Sequence, residues 1–175
     1  MDHNRKEPAM LKRREIMVVI ALLLLVIPAS AIANNLTVTK VLSGDVVQFG
    51  DFTARLTGIK ALPKDHKLGI GVYNYTKSEL EGKIVKVFTW TTDNTAAGIV
   101  YDEEGRAFVQ IYYGNDMDKS FNEHLLEMGY AEVDEEYLPE DLKERYYEIQ
   151  KKARAKEIGI WSKGGGTPVK KEKAD

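Results

Sequence analysis

The sequence predicts an α+β domain: a small five-stranded, mostly antiparallel sheet with about three helices packed at one end. Three observations carry this. Short β-type runs recur between turn residues, one long segment carries a full set of helix start and stop signals, and a shorter amphipathic segment ends in glycine.

The strands come first. "LTVTKVL", "DVVQFG" and "FTARLTGI" follow one another from Leu36, each broken by Ser, Gly or Asp, and read as a meander. "KIVKVFTWTT" alternates apolar and polar residues. "AAGIVYDEEGRAFVQIYY" reads as two β-rich arms around a hairpin connection, Asp102 to Gly105. Closing such a sheet into a barrel of the oligonucleotide/oligosaccharide type, an OB-fold, would remove its exposed edges.

Between the third and fourth runs, "GVYNYTKSELEG" is a short helix closed by Gly82. In "DKSFNEHLLEMGYA", Asp118 or Ser120 caps the start, Phe121, Leu125, Leu126 and Met128 form an apolar face, and Gly129 ends the helix. "PEDLKERYYEIQKKARAKEIG" places Pro139 in the first turn, acids early, bases late and Gly159 at the end, as capping and dipole preferences require.

A chain of 175 residues suits one domain of ordinary size, and the absence of cysteine excludes disulfides, thiolate metal sites and cysteine nucleophiles. Lys12, Arg13 and Arg14 precede an uncharged apolar run over residues 16–33, the pattern of a secretory signal. Ala31-Ile32-Ala33 offers a cleavage site before Asn34, and an uncleaved anchor is the competing reading. The expected organisation is therefore a signal peptide or N-terminal membrane anchor at 1–33, a folded domain at 34–163 and a flexible charged tail at 164–175. Either way the domain is expected outside, secreted or held to the membrane.

Residues 34–163 hold 17 Lys and Arg against 22 Asp and Glu, a net charge of −5. Nonspecific nucleic-acid binding rests mainly on neutralising phosphates, so an acidic domain needs a local basic groove for that purpose. No obvious one is visible in the sequence.

From about Leu36 to Ser162 the chain resembles the staphylococcal nuclease-like (thermonuclease-like) family. "VTKVLSGDVVQF" resembles the family's first hairpin, "ARLTGI" the strand carrying its first catalytic arginine, "SFNEHLLEMGYAEV" its second helix and "AKEIGIWS" the end of its last helix. What this implies is calcium-dependent phosphodiester hydrolysis of nucleic acid. Carboxylates hold the cation, a glutamate activates water, and two arginines stabilise the charge developing on phosphorus.

On the resemblance, Asp45 matches the metal-binding aspartate of the hairpin, with Ser43 and Val46 replacing the usual Asp and Thr, and Arg55 matches the first arginine. The plainer readings are a turn aspartate, and an arginine paired with Asp45 or Asp51. The metal-binding aspartate and the general-base glutamate that follow in the family have no counterpart. Counting from Arg55 puts Lys60 and Pro63 there, and aligning the proline puts Ala61 and Lys64 there. Asp65 lies one or two positions late. The second arginine is either Arg106, or is replaced by Ala97, in which case Arg106 is a surface turn residue.

His3, His66 and His124 have neither metal-ligand nor triad spacing and read as solvent-facing, and the paired tyrosines read as core or rim residues. Three functional readings follow: an exported binding or structural module with a degenerate calcium site, an active nuclease with a site rearranged around Asp45, Arg55, Asp65 and Arg106, or a nucleic-acid-binding module that does not cleave. Calcium and a nucleic-acid partner are expected only if activity survives. Otherwise no cofactor is expected, the partner is an unidentified extracellular one, and an uncleaved N-terminal segment adds the membrane.

Overall fold

The computed structural model describes residues 34–90, 98–114 and 117–162. The expected signal or anchor and the charged tail lie outside these residues, as do Ala97 and His3. Among the described residues eight strands and three helices run in the order β1 (Asn34–Thr37), β2 (Lys40–Val41), β3 (Val46–Phe49), β4 (Phe52–Leu56), β5 (Ile59–Ala61), α1 (Gly69–Leu80), β6 (Ile84–Thr89), β7 (Ala107–Tyr112), α2 (Phe121–Glu127), β8 (Ala131–Val133) and α3 (Glu140–Ala155), followed by a 3₁₀ turn, Gly159–Trp161.

Six strands form one sheet in the order β1-β6-β7-β4-β3-β2, and β5 pairs with β8 in a separate two-stranded sheet. The two edge strands of the larger sheet, β1 and β2, are separated in sequence by Val38 and Thr39 alone. One bent segment thus supplies both edges, and the sheet curls until they meet at it. Val38 is wholly buried at the bend and donates its N–H to Lys83 O at 3.0 Å, while Thr39 N–H reaches Gln48 O at 2.8 Å. Counted as one bent strand, residues 34–41 bring the sheet to the five strands expected. No hydrogen-bonded ladder closes it into a complete barrel among the described residues.

The pairings are antiparallel except that of β4 with β7, which is parallel with Arg55 opposite Phe108. Strand β6 alternates, sending Val85 and Val87 inward, as a strand with one wet face should. Strand β7 is buried at every position from Ala107 to Ile111 because helices cover its other face. Its single polar member in that run, Gln110, donates to Tyr146 Oη at 3.1 Å.

The run "FTARLTGI" is two strands. Gly58 has φ +70°, and a Cβ there would stand 2.9 Å from the ring of Tyr146 and against Leu138. The chain therefore turns at Thr57-Gly58, and β5 leaves the main sheet to meet β8. Among the described residues of the expected hairpin's first arm, Tyr101 forms an isolated bridge with Ala107, and the connection itself forms, with Asp102 N–H bonded to Arg106 O at 3.0 Å.

Helix α2 begins with a complete capping box: Glu123 N–H donates to Ser120 Oγ at 3.2 Å and Ser120 N–H to Glu123 Oε2 at 2.8 Å. Asn122, fully buried, accepts from Ile111 N–H and donates to Thr57 O and Val109 O, so one side chain fastens α2 to the ends of β4 and β7. Helix α3 buries Tyr146, Gln150 and Ala153 and stops at Ala155, short of Gly159. Glu157 at φ +52° and Gly159 at φ +59° turn the chain back so that Ile160 N–H reaches Gly129 O at 2.8 Å. No helix of the described residues is long and apolar enough to cross a membrane.

Candidate functional site

Asp45 sits in the turn between β2 and β3, which is wedged against β5 and α1. A Cβ on Gly44 would stand 2.7 Å from Val72 and 2.8 Å from Ala61, and Gly44 O accepts from Thr76 Oγ at 2.9 Å, so glycine is the residue that lets the turn approach this closely. The Asp45 side chain is buried. Its Oδ1 accepts from Ser43 Oγ at 2.7 Å and its Oδ2 from Ala61 N–H at 3.1 Å. One oxygen therefore closes the turn on itself and the other fastens it to β5.

A calcium ion takes six to eight oxygen ligands, usually with several carboxylates among them. Around Asp45 the neighbours supply donors instead: a serine hydroxyl and a backbone N–H. Lys60 is exposed on β5 opposite Glu132, Lys64 rests its Nζ 3.7 Å from the centre of the Tyr73 ring, and Asp65 is exposed. No group of three or more His, Asp or Glu side chains that could hold a metal ion occurs among the described residues. The residues at this turn do not fit the calcium that the sequence resemblance implies.

Arg55 projects from β4, and its side chain is 12% exposed. It pairs neither with Asp45 nor with Asp51. Its Nη2 lies 2.6 Å from Asp134 Oδ2 and its Nη1 3.3 Å from Glu136 Oε2, and its guanidinium stands 5.7 Å from the centre of the Phe108 ring. Both acids belong to the connection between β8 and α3. Asp134 is held in place by accepting Glu136 N–H at 3.1 Å and by donating its own N–H to Gly58 O at 3.0 Å. The next residue, Tyr137, adopts φ +55°, uncommon for a tyrosine, and packs its ring 4.6 Å from that of Phe108. Asp45 and Arg55 are close along the ladder, since Leu56 N–H bonds Asp45 O at 2.8 Å, but their charged groups form no ion pair.

Arg106 closes its own hairpin turn. Its Nε lies 2.6 Å from Asp102 Oδ2, its Nη2 pairs with Glu104, and its N–H donates to Asp102 Oδ1 at 2.9 Å. Burial raises the Asp102 carboxyl pKa, but the hydrogen bonds from Arg106 and Glu104 together with the guanidinium charge outweigh it and hold the group below its ordinary value.

The structure thus separates the three residues singled out in the sequence into three local networks. Asp134 and Glu136, which occupy Arg55, were missed; the acidic run "DEE" directly after β8 is the signal that could have raised them. Of the paired tyrosines, Tyr146 is wholly buried and Tyr112 and Tyr113 are half-buried, whereas Tyr147 is exposed. His66 is exposed, but His124 is not solvent-facing: it is half-buried, with its Nε2 2.6 Å from Tyr75 Oη. Burial raises the Tyr75 hydroxyl pKa well above its ordinary value, with the charge of Glu79 adding to the shift. An open groove between β8 and α3, lined by Glu132, Tyr147, Lys151 and Arg154 among others, contains neither Asp45 nor Arg55.

A curled sheet whose two edges share one bent strand, with helices docked at one end, defines a small OB-type α+β domain. Residues 53–163 match the family model described as staphylococcal nuclease homologue, more than half of the chain, and the chain belongs to that family. The match takes in Arg55 and Arg106 and begins after Asp45. No curated protein matches the chain.

Proposed function

We propose that this chain is an exported family member whose calcium-dependent phosphodiesterase site is degenerate, and that it serves as a binding or structural module at the cell exterior. The observation that carries this reading is the engagement of Asp45: both carboxylate oxygens are taken by internal donors, while in either alignment a lysine and an uncharged residue stand where further carboxylates would be needed. Two unit charges about 4 Å apart near a protein surface interact by roughly 4 kcal/mol, so ammonium groups in place of acids weaken divalent-cation binding strongly. The loss of a positioned general base costs about 100- to 10,000-fold in rate on its own. The two acids on Arg55 add to this, because a guanidinium already neutralised by carboxylates has little left to offer a phosphate. Export rests on the basic flank and apolar run over residues 12–33.

Family membership favours a second reading, hydrolysis through a site rearranged around Asp45, Arg55 and Asp65. One experiment separates them. The full chain is incubated with single-stranded DNA and with RNA, first with calcium and then with chelator. The proposal expects no chelator-sensitive cleavage, and such cleavage would establish the second reading. Retarded migration of the nucleic acid without cleavage would point instead to a binding module for nucleic acid.

A further inference from the structure

The exposed side of α1 carries an unusual combination. Ile70, Tyr73 and Lys77 recur at helical spacing and so lie on one stripe. Ile70 is 47% exposed although it is a large apolar residue, Tyr73 is half-buried, and Lys77 is exposed. The loop leading into the helix brings Lys64 onto this stripe, its Nζ 3.7 Å from the centre of the Tyr73 ring, and Lys67 is exposed beside it. Lys77 lies 3.4 Å from Glu81, and Asp65 is the one acid of the loop, but no ion pair with an acid is formed by Lys64 or Lys67 among the described residues.

An apolar side chain at the crest, a tyrosine with an apolar body and a polar tip, and lysines on flexible stems around them match the layers of a lipid interface. The isoleucine suits the acyl boundary, the tyrosine the headgroup level and the lysines anionic headgroups. A polyanion in water would use the lysines but leave Ile70 without a purpose. We infer that this face of α1, with the Lys64–Lys67 loop, is a docking surface for an anionic lipid bilayer. This surface is independent of whether phosphodiester hydrolysis survives, so a cleavage assay does not decide it.

The test uses the full chain reconstituted in vesicles of phosphatidylcholine alone or of phosphatidylcholine with phosphatidylglycerol. Individual lysines are acylated with a water-soluble reagent and read by mass spectrometry. In the anionic vesicles, acylation of Lys64, Lys67 and Lys77 is expected to slow about fivefold, the factor that corresponds to the attraction of one lysine to an anionic surface, while Lys151 on α3 is unaffected. A second measurement exploits the absence of cysteine: an Ile70→Cys variant labelled with an environment-sensitive dye shifts its emission to the blue in anionic vesicles, and the combined Lys64→Gln, Lys67→Gln and Lys77→Gln substitutions abolish the shift. Equal acylation in both vesicle types would overturn the proposal. So would a dye response to single-stranded DNA that exceeds the response to vesicles.

Discussion

Arg55 and Asp134 are 79 positions apart in the chain and joined by an ion pair of 2.6 Å. The pair ties the centre of the sheet to the connection that launches α3, and Glu136 takes the other arm of the same guanidinium at 3.3 Å.

Removing this partner is expected to destabilise the fold. Asp134→Asn loses a charge-assisted bond to a largely buried guanidinium, worth about 1–3 kcal/mol. Arg55→Lys is expected to fall short of the parent as well, since an ammonium cannot span two acids as a planar fork does. Urea denaturation of the two variants measures both effects; stabilities equal to the parent would show that the clasp is idle.

The lysines are expected to be the first barrier to calcium but not the last. Lys60→Asp with Lys64→Glu replaces two cations by two anions in the segment that Asp45 bonds through Ala61, so calcium is expected to raise the melting temperature of this double variant and leave the parent unchanged. Hydrolysis is expected to remain absent, because Arg55 stays clasped by Asp134 and Glu136. Calcium-dependent cleavage by the double variant would show that the clasp opens readily.

Gly58 is expected to tolerate no side chain. Gly58→Ala forces alanine into the left-handed region at about 1–2 kcal/mol and drives its methyl into Leu138 and Tyr146 at roughly 1–3 kcal/mol more. A loss of stability near the sum is the expected result in thermal or chemical denaturation, and a neutral outcome would mean that the helix end yields.

At acid pH the turn at Asp102 is expected to weaken. Its folded-state pKa lies below the ordinary 3.8, so its stabilising contribution is complete above that value and is lost as the pH falls through the folded-state value. Asp102→Asn is expected to flatten the stability–pH curve over that range. The same acid slope in parent and variant would place the titration elsewhere.

The main features of the fold were legible where local chemistry decides structure. Ser120, one of the two residues offered as a cap, starts α2, and Gly82 and Gly129, both at positive φ, mark helix ends. The misreadings occurred where distant residues decide. Nothing local in "TGI" reveals that Leu138 and Tyr146 crowd Gly58 and that the strand must break there. Lys156 and Glu157 are good helix formers, but the hydrogen bond from Ile160 to Gly129 pulls the chain out of α3 before Gly159. At the candidate site the turn around Asp45 could be read from "SGD", whereas its bond to Ala61 and the acids on Arg55 come from partners far along the chain. A pattern of residue types carries no record of which hydrogen-bond donor an oxygen has already met.

The bent segment at the start of the domain bears on how the protein is made. Among the described residues Asn34–Thr37 finds its ladder partners in Ile84–Val87, so this first described strand waits, unpaired, until β6 has been synthesised. A nascent chain halted before that point has two raw sheet margins and no means of sealing them. Sealing of the sheet is thereby postponed until β6 arrives to lie beside it.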